Sequence, residues 1–313
     1  MKNMRSKKLP LVSVVMPVYN AGDFVVEAIR SIIKQTYKNI ELIIVDDASE
    51  DNSVKIIDKY RKKYPRIIKL ITLKKSLGKS GDPATNIAIK KAKGKYVAKM
   101  DADDISDPKR IAKQIEYLEK NKDVFLLGTQ AYVINKHGEI LGEKNTPLNH
   151  QEIYSHFFLY NYMIHPSIMF RNIKNKKDFY QIKFPFFNEY YTFFKLMNLG
   201  KKFANLNEKL LYYRIHGKND TFSQIKKKFM STLNIKKEFV FTFNYHPNYK
   251  DIIVTIAQSI LVFMVPEKFT VYFYLLSRNV IKPQKLIKSF ATVLTIFFTS
   301  IKQFSLSLVK MFI

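Results

Sequence analysis

Four short apolar runs alternate with amphipathic segments in the first 120 residues. The runs cover 11–18, 40–45, 67–73 and 96–100, and the segments between and after them cover 22–35, 53–63, 83–92 and 108–120. Short continuous apolar runs are typical of strands buried on both faces, and the intervening segments have the helical period. The alternation predicts an α/β fold with a Rossmann-like, mostly parallel sheet flanked by helices.

The chain changes character near residue 222. Before that point, a predicted strand at 126–134 and a predicted helix at 188–199 extend the α/β pattern. After it, residues 223–313 have a helical pattern and hold 13 basic but only 3 acidic residues. We therefore predict a main domain at 1–222 and a basic, aromatic-rich helical C-terminal region at 223–313.

The C-terminal region admits two interpretations. Its apolar blocks at 252–266 and 289–301 are shorter than the stretch of about 20 residues that a membrane-spanning helix needs. Lysine clusters beside short apolar blocks suit helices that lie on an anionic membrane surface. The same helices could equally pack on the main domain. We expect a cytoplasmic protein, either free or peripheral at the inner face of the membrane.

The net charge raises the question of a nucleic-acid partner. The formal charge is +27, yet only 8 of the 53 basic residues are arginine, and the lysines are scattered over all segments. Arginine makes most base-edge and bidentate phosphate contacts, so we do not expect nucleic acid as a partner. The chain has no cysteine, which excludes disulfides and thiolate metal sites.

Acidic clusters follow two of the predicted strands. Asp46 and Asp47 come directly after one strand, and Asp101, Asp103 and Asp104 come directly after another. The carboxyl ends of parallel strands meet at one edge of a sheet, where ligands of such sheets bind. Closely spaced carboxylates bind hard cations such as Mg²⁺ or Mn²⁺ and leave positions open for phosphate oxygens. The sequence therefore predicts a divalent-metal site beside a phosphorylated ligand.

Two other phosphate-binding patterns are excluded. No G-x-G-x-x-G follows the first strand, so a dinucleotide site is not predicted. Gly78-Lys79-Ser80 matches the end of a P-loop, but Leu73 occupies the position of the required earlier glycine. The chain is therefore not expected to be a P-loop ATPase.

Several motifs, in this order and spacing, resemble those of family 2 glycosyltransferases, which have the GT-A fold. They are Val12–Asn20, Glu41–Ser49 and Ala92–Val97 running into Met100–Asp104, with Pro108–Ile111 and Gly128 continuing the likeness. The resemblance covers about residues 10–220. It implies an enzyme that moves a sugar from a nucleotide-diphosphate donor to a carbohydrate or lipid-linked acceptor hydroxyl, with inversion at the anomeric carbon.

The resemblance also implies roles for particular residues. The implied donor-binding residues follow the strand ends and are Pro17, Tyr19, Asn20, Asp46, Asp47 and Asp101. Asp103 and Asp104 would face the divalent metal, Mn²⁺ or Mg²⁺. Relatives commonly read Ala-Arg-Asn where this chain has Ala84-Thr85-Asn86, and Lys79 or Lys99 would supply the missing positive charge to the donor.

An inverting transfer needs a base for the acceptor hydroxyl. Family members usually place a Glu-Asp pair before an amphipathic helix, and this chain has Asn188-Glu189 there, which puts Glu189 at the base position. A carboxylate in a closed site can have its pKa raised toward the working range. The alternative is that Glu189 is an ordinary first-turn acid favoured by the helix dipole. His165 and His216 match late family motifs and would contact acceptor, phosphate or metal, although a lone histidine is more often structural.

Two other functions predict different sequence features from those found here. A sugar-nucleotidyltransferase on a similar fold opens with a glycine-rich, arginine-containing loop, whereas this chain has Pro17-Val18-Tyr19-Asn20 there. A non-enzymatic, basic membrane-binding or nucleic-acid-binding protein has no use for the ordered aspartates. Metal-dependent binding of nucleotide diphosphates separates the enzyme from the second rival.

Overall fold

The computed structural model describes residues 9–78, 81–173, 177–216 and 224–264. Within these ranges the strands are β1 (Val12–Val18), β2 (Ile40–Asp46), β3 (Ile68–Thr72), β4 (Tyr96–Lys99), β5 (Ile105–Ser106), β6 (Val124–Ile134), β7 (Ile140–Lys144), β8 (Met169–Arg171) and β9 (Lys202–Arg214). The helices are α1 (Val25–Ile33), α2 (Ser53–Lys63), α3 (Asp82–Lys91), α4 (Arg110–Lys120), α5 (His150–His156), α6 (Asn188–Asn198), α7 (Ile225–Phe241) and α8 (Tyr249–Met264). A single turn of 3-10 helix at His165–Ser167 precedes β8.

The strands of the described residues form one sheet in the order β3-β2-β1-β4-β8-β6-β9-β5, with β7 paired to β6. The neighbours β3, β2, β1 and β4 are all parallel. β8 runs antiparallel to both β4 and β6, and β5 runs antiparallel to β9. The predicted α/β fold class is confirmed, with a sheet that is parallel in its first half and mixed in its second.

The eight elements predicted in the first 120 residues are all present, and their bounds differ from the prediction by three residues or fewer. The parallel strands β1, β2 and β4 are almost wholly buried, as their continuous apolar runs indicate, whereas the edge strand β3 is only partly buried. Side chains alternate between the two faces of a strand, so Val14 and Met16 of β1 enter one core cluster while Val15 enters the other. Both faces of the sheet are therefore covered, and the carboxyl ends of its strands face a shared edge.

Helix α7 begins the predicted C-terminal region and packs on the main domain. The ring of Phe239 stacks on Phe194 of α6 with a centroid separation of 3.5 Å, and Ile235 is buried in the same core cluster. The packing interpretation therefore holds for α7. The proposed division at 222/223 stays a prediction, since it falls in a segment (217–223) outside the described residues.

Helix α8 follows α7 and leaves most of its apolar side chains exposed. The exposed large apolar residues of α8 are Tyr249, Ile252, Ile253, Val254, Ile256, Ile260, Phe263 and Met264. No helix in the described part of the chain is long and apolar enough to span a bilayer. The predicted apolar block at 289–301 lies outside the described residues.

Candidate active site

The loops that follow β1 and β2 are bonded to each other. The backbone N–H of Asn20 donates to Ser49 Oγ at 3.0 Å, and the N–H of Gly22 donates to Asp51 Oδ2 at 2.9 Å. A Cβ at position 22 would lie 1.9 Å from Asn52 Oδ1, so any other residue would have to displace that side chain. The two loops therefore form one continuous surface at the carboxyl edge of the sheet.

Strand β2 places two carboxylates in different surroundings. Asp46 is fully buried; its Oδ2 accepts from the N–H of Ser49 at 3.1 Å, while its Oδ1 has no hydrogen-bond partner among the described residues. Asp47 accepts from the Ser76 hydroxyl and from the N–H of Leu77, both at 2.8 Å. The Asp47 carboxylate therefore holds the loop after β3, and its Oδ1 can accept one further hydrogen bond.

The other predicted donor-binding residues lie beside these loops. Pro17 is packed against the start of α3, because a Cβ at Gly81 would be 3.4 Å from the proline ring. Tyr19 is 54% exposed, and Asn20 has a left-handed backbone with φ of 49°. Lys79 lies outside the described residues, so its predicted role is not placed.

Three carboxylates converge after β4. One oxygen from each of Asp101, Asp103 and Asp104 lies within 4.8 Å of the others. Asp104 is buried, and its Oδ2 has no hydrogen-bond partner in the described part of the chain. Burial raises the pKa of Asp104 well above its usual value, and the like charges of Asp103 and Asp101 add to the shift. The buried Oδ2 of Asp104 is suited to bind a cation, because a bound divalent cation would offset both the loss of hydration and the repulsion from the neighbouring carboxylates.

The end of β9 is bonded to this acidic loop. The backbone N–H of Arg214 donates to Asp104 Oδ1 at 2.8 Å, and its side-chain Nε donates to the backbone oxygen of Asp103 at 2.7 Å. The same guanidinium forms an ion pair with Glu27 of α1. His216 Nε2 lies 3.0 Å from Asp103 Oδ2, and its ring stacks on Phe24 at 4.7 Å. Arg214 and His216 therefore hold the acidic loop, and Glu27 and Phe24 at the start of α1 hold those two side chains in place.

A buried lysine pairs with the first aspartate of the loop. The side chain of Lys99 is 3% exposed and forms an ion pair with Asp101, whose side chain is 34% exposed. Burial alone would raise the pKa of Asp101, but the charge and hydrogen bond of Lys99 lower it below its usual value. Arg110 of α4 is fully buried and donates to the backbone oxygens of Pro166 (2.9 Å) and Lys99 (3.1 Å). Asp101 therefore stays ionised beside a fixed cation.

The start of α6 accounts for the asparagine at position 188. Its side chain is fully buried, and Oδ1 accepts from the N–H groups of Lys183 and Phe184 at 2.9 and 2.8 Å. Phe187, the residue before the helix, has a left-handed backbone with φ of 59°. Asn188 thus fixes the turn into α6 with its side chain and leaves Glu189 as the acid of the first turn.

Glu189 lies in the same electrostatic environment as Asp101. Burial raises the pKa of Glu189 to about 7, and the Asp101 charge acts in the same direction. The backbone N–H groups of the first turn and the Lys99 ammonium oppose the shift without cancelling it. A carboxylate whose pKa is near neutrality is suited to accept a proton at neutral pH.

His165 is bonded to a buried tyrosine of the loop before α6. Its Nε2 lies 2.8 Å from the hydroxyl of Tyr180. Burial lowers the pKa of His165 to about 3, and the Lys99 charge acts in the same direction, so the imidazole is neutral at pH 7. Tyr180 is held in turn by Asn86 of α3, which accepts from its N–H at 2.9 Å and donates to its carbonyl oxygen at 2.8 Å. His165 therefore has a structural setting and is a poor proton acceptor.

One acidic residue of this region was not singled out from the sequence. Asp82, the first residue of α3, is 1% exposed, and neither carboxylate oxygen has a hydrogen-bond partner among the described residues. Its sequence neighbourhood, Gly81-Asp82-Pro83, has the pattern of an ordinary helix start, which is why sequence reasoning missed it.

The comparison with known families matches this arrangement. The family model described as glycosyl transferase family 2 matches residues 13–187, more than half of the chain. The chain belongs to glycosyltransferase family 2. An uncharacterized glycosyltransferase of Methanocaldococcus jannaschii is 38% identical over 222 residues, which is 70% of this chain and 76% of the relative. The Escherichia coli protein WfaP, named a UDP-Glc:alpha-D-GlcNAc-diphosphoundecaprenol beta-1,3-glucosyltransferase, is 31% identical over 70% of this chain and 83% of its own length.

Solved structures of glycosyltransferases share the fold. Residues 1–349 of Staphylococcus aureus TarS in complex with UDP-GlcNAc align with a TM-score of 0.52 at 20% identity, over 74% of this chain and 67% of TarS. The mannosyltransferase PcManGT of Pyrobaculum calidifontis, in complex with GDP-Man and Mn²⁺, aligns with a TM-score of 0.57 at 15% identity, over 92% of this chain and 80% of that one. The GT-A fold and the enzyme class are thereby established, and both rival functions are set aside.

Proposed function

We propose that this glycosyltransferase moves a sugar from a nucleotide-diphosphate donor to an acceptor hydroxyl with inversion at the anomeric carbon, in the assembly of a polysaccharide or glycolipid. The observation that carries the proposal is the pairing of a convergent aspartate loop with Glu189, a carboxylate whose pKa of about 7 suits a general base. Inversion in one step needs a base on the acceptor side and stabilisation of the diphosphate on the donor side.

The donor half of the site is assigned to the strand-end loops. Asp46 and Asp47 are proposed to bind the base, because each keeps an oxygen that can accept a hydrogen bond. Pro17, Tyr19 and Asn20 are proposed to line the same pocket. Asp101, ionised by Lys99, is proposed to accept hydrogen bonds from the ribose or the transferred sugar. The nucleotide sugars bound by TarS and by the Pyrobaculum enzyme support a donor of this class.

Asp103 and Asp104 are proposed to hold a divalent cation. The fit rests on the unpartnered, buried Oδ2 of Asp104 and on the separation of the carboxylate oxygens. When bound, Mn²⁺ or Mg²⁺ supplies a positive charge that neutralises the diphosphate leaving group. Arg214 at the end of β9 orients both residues, because its backbone N–H donates to the Asp104 carboxylate and its Nε donates to the backbone oxygen of Asp103. His216 is proposed to orient the Asp103 carboxylate from the other side.

A titration with nucleotide diphosphates tests the donor half. UDP and GDP should raise the unfolding midpoint in the presence of Mn²⁺ and much less in chelator, since a ligand of the folded state stabilises it. Asp103→Ala should remove the Mn²⁺-dependent part while the midpoint of the free protein stays close to wild type, because the side chain is partly exposed. Equal stabilisation by the nucleotide in chelator would contradict the metal assignment. A screen of nucleotide sugars with NMR of the product then gives the anomeric configuration.

The acceptor is proposed to be carried at a membrane. The WfaP relative is named for an acceptor on diphosphoundecaprenol. On this chain, helix α8 exposes an apolar face, and exposed lysines lie on α7 and at the start of α8, including Lys226, Lys237 and Lys250. An apolar helix face with lysines nearby is suited to the interface of an anionic bilayer. We therefore propose peripheral association with the cytoplasmic face of a membrane.

A further inference from the structure

The first turn of α3 brings a further carboxyl group, that of Asp82, into the electrostatic environment of Asp101 and Glu189. Asp82 begins α3, directly after Gly81, which has a left-handed backbone with φ of 75° and abuts Pro17 at the end of β1. The helix is joined to the loop before α6 by the reciprocal hydrogen bonds between Asn86 and Tyr180. Those bonds join α3 to the loop that leads into α6, and each of the two helices has an acid in its first turn.

The surroundings of Asp82 differ from those of an ordinary helix-start acid. Its side chain is 1% exposed, and both oxygens are without a hydrogen-bond partner in the described part of the chain. An ionised carboxylate in such a place would lose its hydration, and the Lys99 charge and the nearby backbone N–H of Glu189 offset only part of that loss. A neutral carboxyl group has a much smaller cost of burial.

Asp82 faces more acids than cations, which also favours its neutral form. The charges of Glu189 and Asp101 both act on Asp82 and favour its protonated form. The Lys99 ammonium is the positive charge that acts on Asp82 in the opposite direction. Lys99 is already paired with Asp101. The remaining neighbours add no positive charge, because His165 is neutral at pH 7 and Tyr180 keeps its phenolic proton. Asp101 also has the charge of Arg110 nearby, but for Asp82 the positive charge that acts is that of Lys99, which Asp101 already engages. We therefore expect one of the two remaining acids to hold a proton.

We propose that Asp82 is a carboxylic acid that stays neutral at the working pH and acts as a positioning residue for Glu189. Of the two acids left without a cation, Asp82 is the more deeply buried and Glu189 is partly exposed at the pocket surface. The proton therefore resides on Asp82, and Glu189 is the group that ionises. This second half rests on the proposed role of Glu189 in transfer, whereas the protonation of Asp82 does not.

The direction of the electrostatic shifts agrees with this assignment. Burial raises the pKa of Asp82 well above its usual value, and the Glu189 charge adds to the shift. For Glu189 the charge that adds to burial is that of Asp101.

Urea unfolding of the full chain as a function of pH tests the protonation directly. A raised folded-state pKa gives stability that is present below the unfolded value of about 3.9 and is lost as pH rises through the folded value. The midpoint of Asp82→Asn should therefore rise relative to wild type as pH increases, because the amide never ionises. Glu41→Gln is the matched control. Burial alone would raise the pKa of Glu41, but bonds from Lys69, Ser13 and the N–H of Lys93 lower it, so its relative midpoint should fall with pH.

Two further readouts separate the proposal from a merely structural role. In the infrared difference spectrum between wild type and Asp82→Asn at neutral pH, wild type should have the carbonyl band of a protonated carboxylic acid that the variant lacks, while bands of other protonated acids such as Asp104 cancel. In transfer assays Asp82→Asn should keep kcat within a few-fold with the acid limb of its pH profile in place. Asp82→Ala, which leaves a gap beside Glu189, should lower kcat by about tenfold or more at unchanged donor KM.

The outcomes are decisive in either direction. A relative midpoint of Asp82→Asn that falls with pH, or an acid limb that moves to lower pH in this variant, would mean that Asp82 is ionised, and the proposal would be wrong. If Glu189→Gln transfers sugar at the wild-type rate, the proposed function of Glu189 fails, while the unfolding and infrared results still decide the protonation state of Asp82. Equal kcat for Asp82→Ala and wild type would overturn the positioning role.

Discussion

His216 Nε2 lies 3.0 Å from Oδ2 of Asp103, although the two residues are 113 positions apart in the chain. The contact places a residue from beyond the last strand directly behind the aspartate loop. The stacking of the imidazole on Phe24 fixes the ring in that position. A carboxylate held in this way has one oxygen engaged by the protein and a defined direction for the other, which is the usual arrangement behind a metal ligand.

Replacement of His216 by alanine should therefore weaken metal use more than it weakens the fold. We expect the Mn²⁺ concentration needed for half-maximal transfer to rise by about 10- to 100-fold, the usual effect of removing a partner of a metal ligand. The measurement is a metal titration of the initial rate at saturating donor. His137→Ala is the control, because His137 is an exposed histidine in the turn between β6 and β7. An unchanged metal requirement in His216→Ala would show that Asp103 needs no support from this side.

Glu189→Gln should lower transfer and leave donor binding intact. The amide keeps the size of the side chain but cannot accept the proton, and general-base assistance is typically worth about 10²- to 10⁴-fold in rate. Glu189→Asp shortens the side chain by one methylene and should also transfer slowly. The measurements are kcat and the dissociation constant of the nucleotide diphosphate for each variant.

Glu152→Gln is the matched control for Glu189→Gln. Glu152 is also a first-turn acid, on α5, but it is exposed and far along the chain from the acidic loop. If both variants transfer at the wild-type rate, Glu189 is an ordinary first-turn acid. The base would then be another group of the same region, and two are candidates. Asp178 is an exposed acid paired with Lys90 at 2.7 Å, whereas His165 is neutral and bonded to Tyr180.

The pH profile should have its acid limb near neutrality. Burial raises the pKa of Glu189 to about 7, so kcat/KM should fall about tenfold for each unit of pH below that value. The sign for stability is opposite: with a raised folded-state pKa, Glu189 contributes stability below its unfolded value of about 4.3 that is lost as pH rises toward 7. The ionised, active form is thus the less stable one. A rate that is flat from about pH 5 to 8 would contradict a base with this pKa.

Changes to the exposed face of α8 should weaken membrane binding without affecting the fold. Ile253, Ile256 and Ile260 are each more than half exposed. Replacing all three by serine should therefore remove little contact with the core. We expect flotation with anionic vesicles at low salt to fall by about tenfold or more, given the transfer free energy of three large apolar side chains. Leu199→Ser, at an exposed apolar residue beyond the end of α6, is the control. Failure of the wild-type chain to float at low salt would leave α8 without this role.

The parallel half of the sheet could be predicted from the sequence because its determinants are local. Continuous apolar runs identify β1, β2 and β4, and the acids that follow them must lie at one edge of the sheet. The aspartate loop was therefore foreseen together with its neighbours. Glu189 was placed only through family resemblance, since its own helix start carries no distinguishing pattern.

The remaining features depend on contacts between distant segments. β5 and β8 have two and three residues, too few to produce a periodic signal, yet β8 separates β4 from β6 in the sheet. The sequence allows Lys99 to contact the donor, but the ion pair between Lys99 and Asp101 could not be inferred from it. The buried setting of Asp82 could not be predicted, because Asp-Pro at a helix start is equally common in solvated caps.

The length of β9 has a consequence for how this enzyme tolerates insertions. β9 has 13 residues, pairs with β6 along most of them, and ends at Arg214, whose backbone and side chain both hold the aspartate loop. Because successive side chains of a strand point to opposite faces, one added or deleted residue within β9 would turn the guanidinium away from Glu27 and shift His216 along the chain. Length changes in β9 should therefore inactivate the enzyme even at sites remote from the donor.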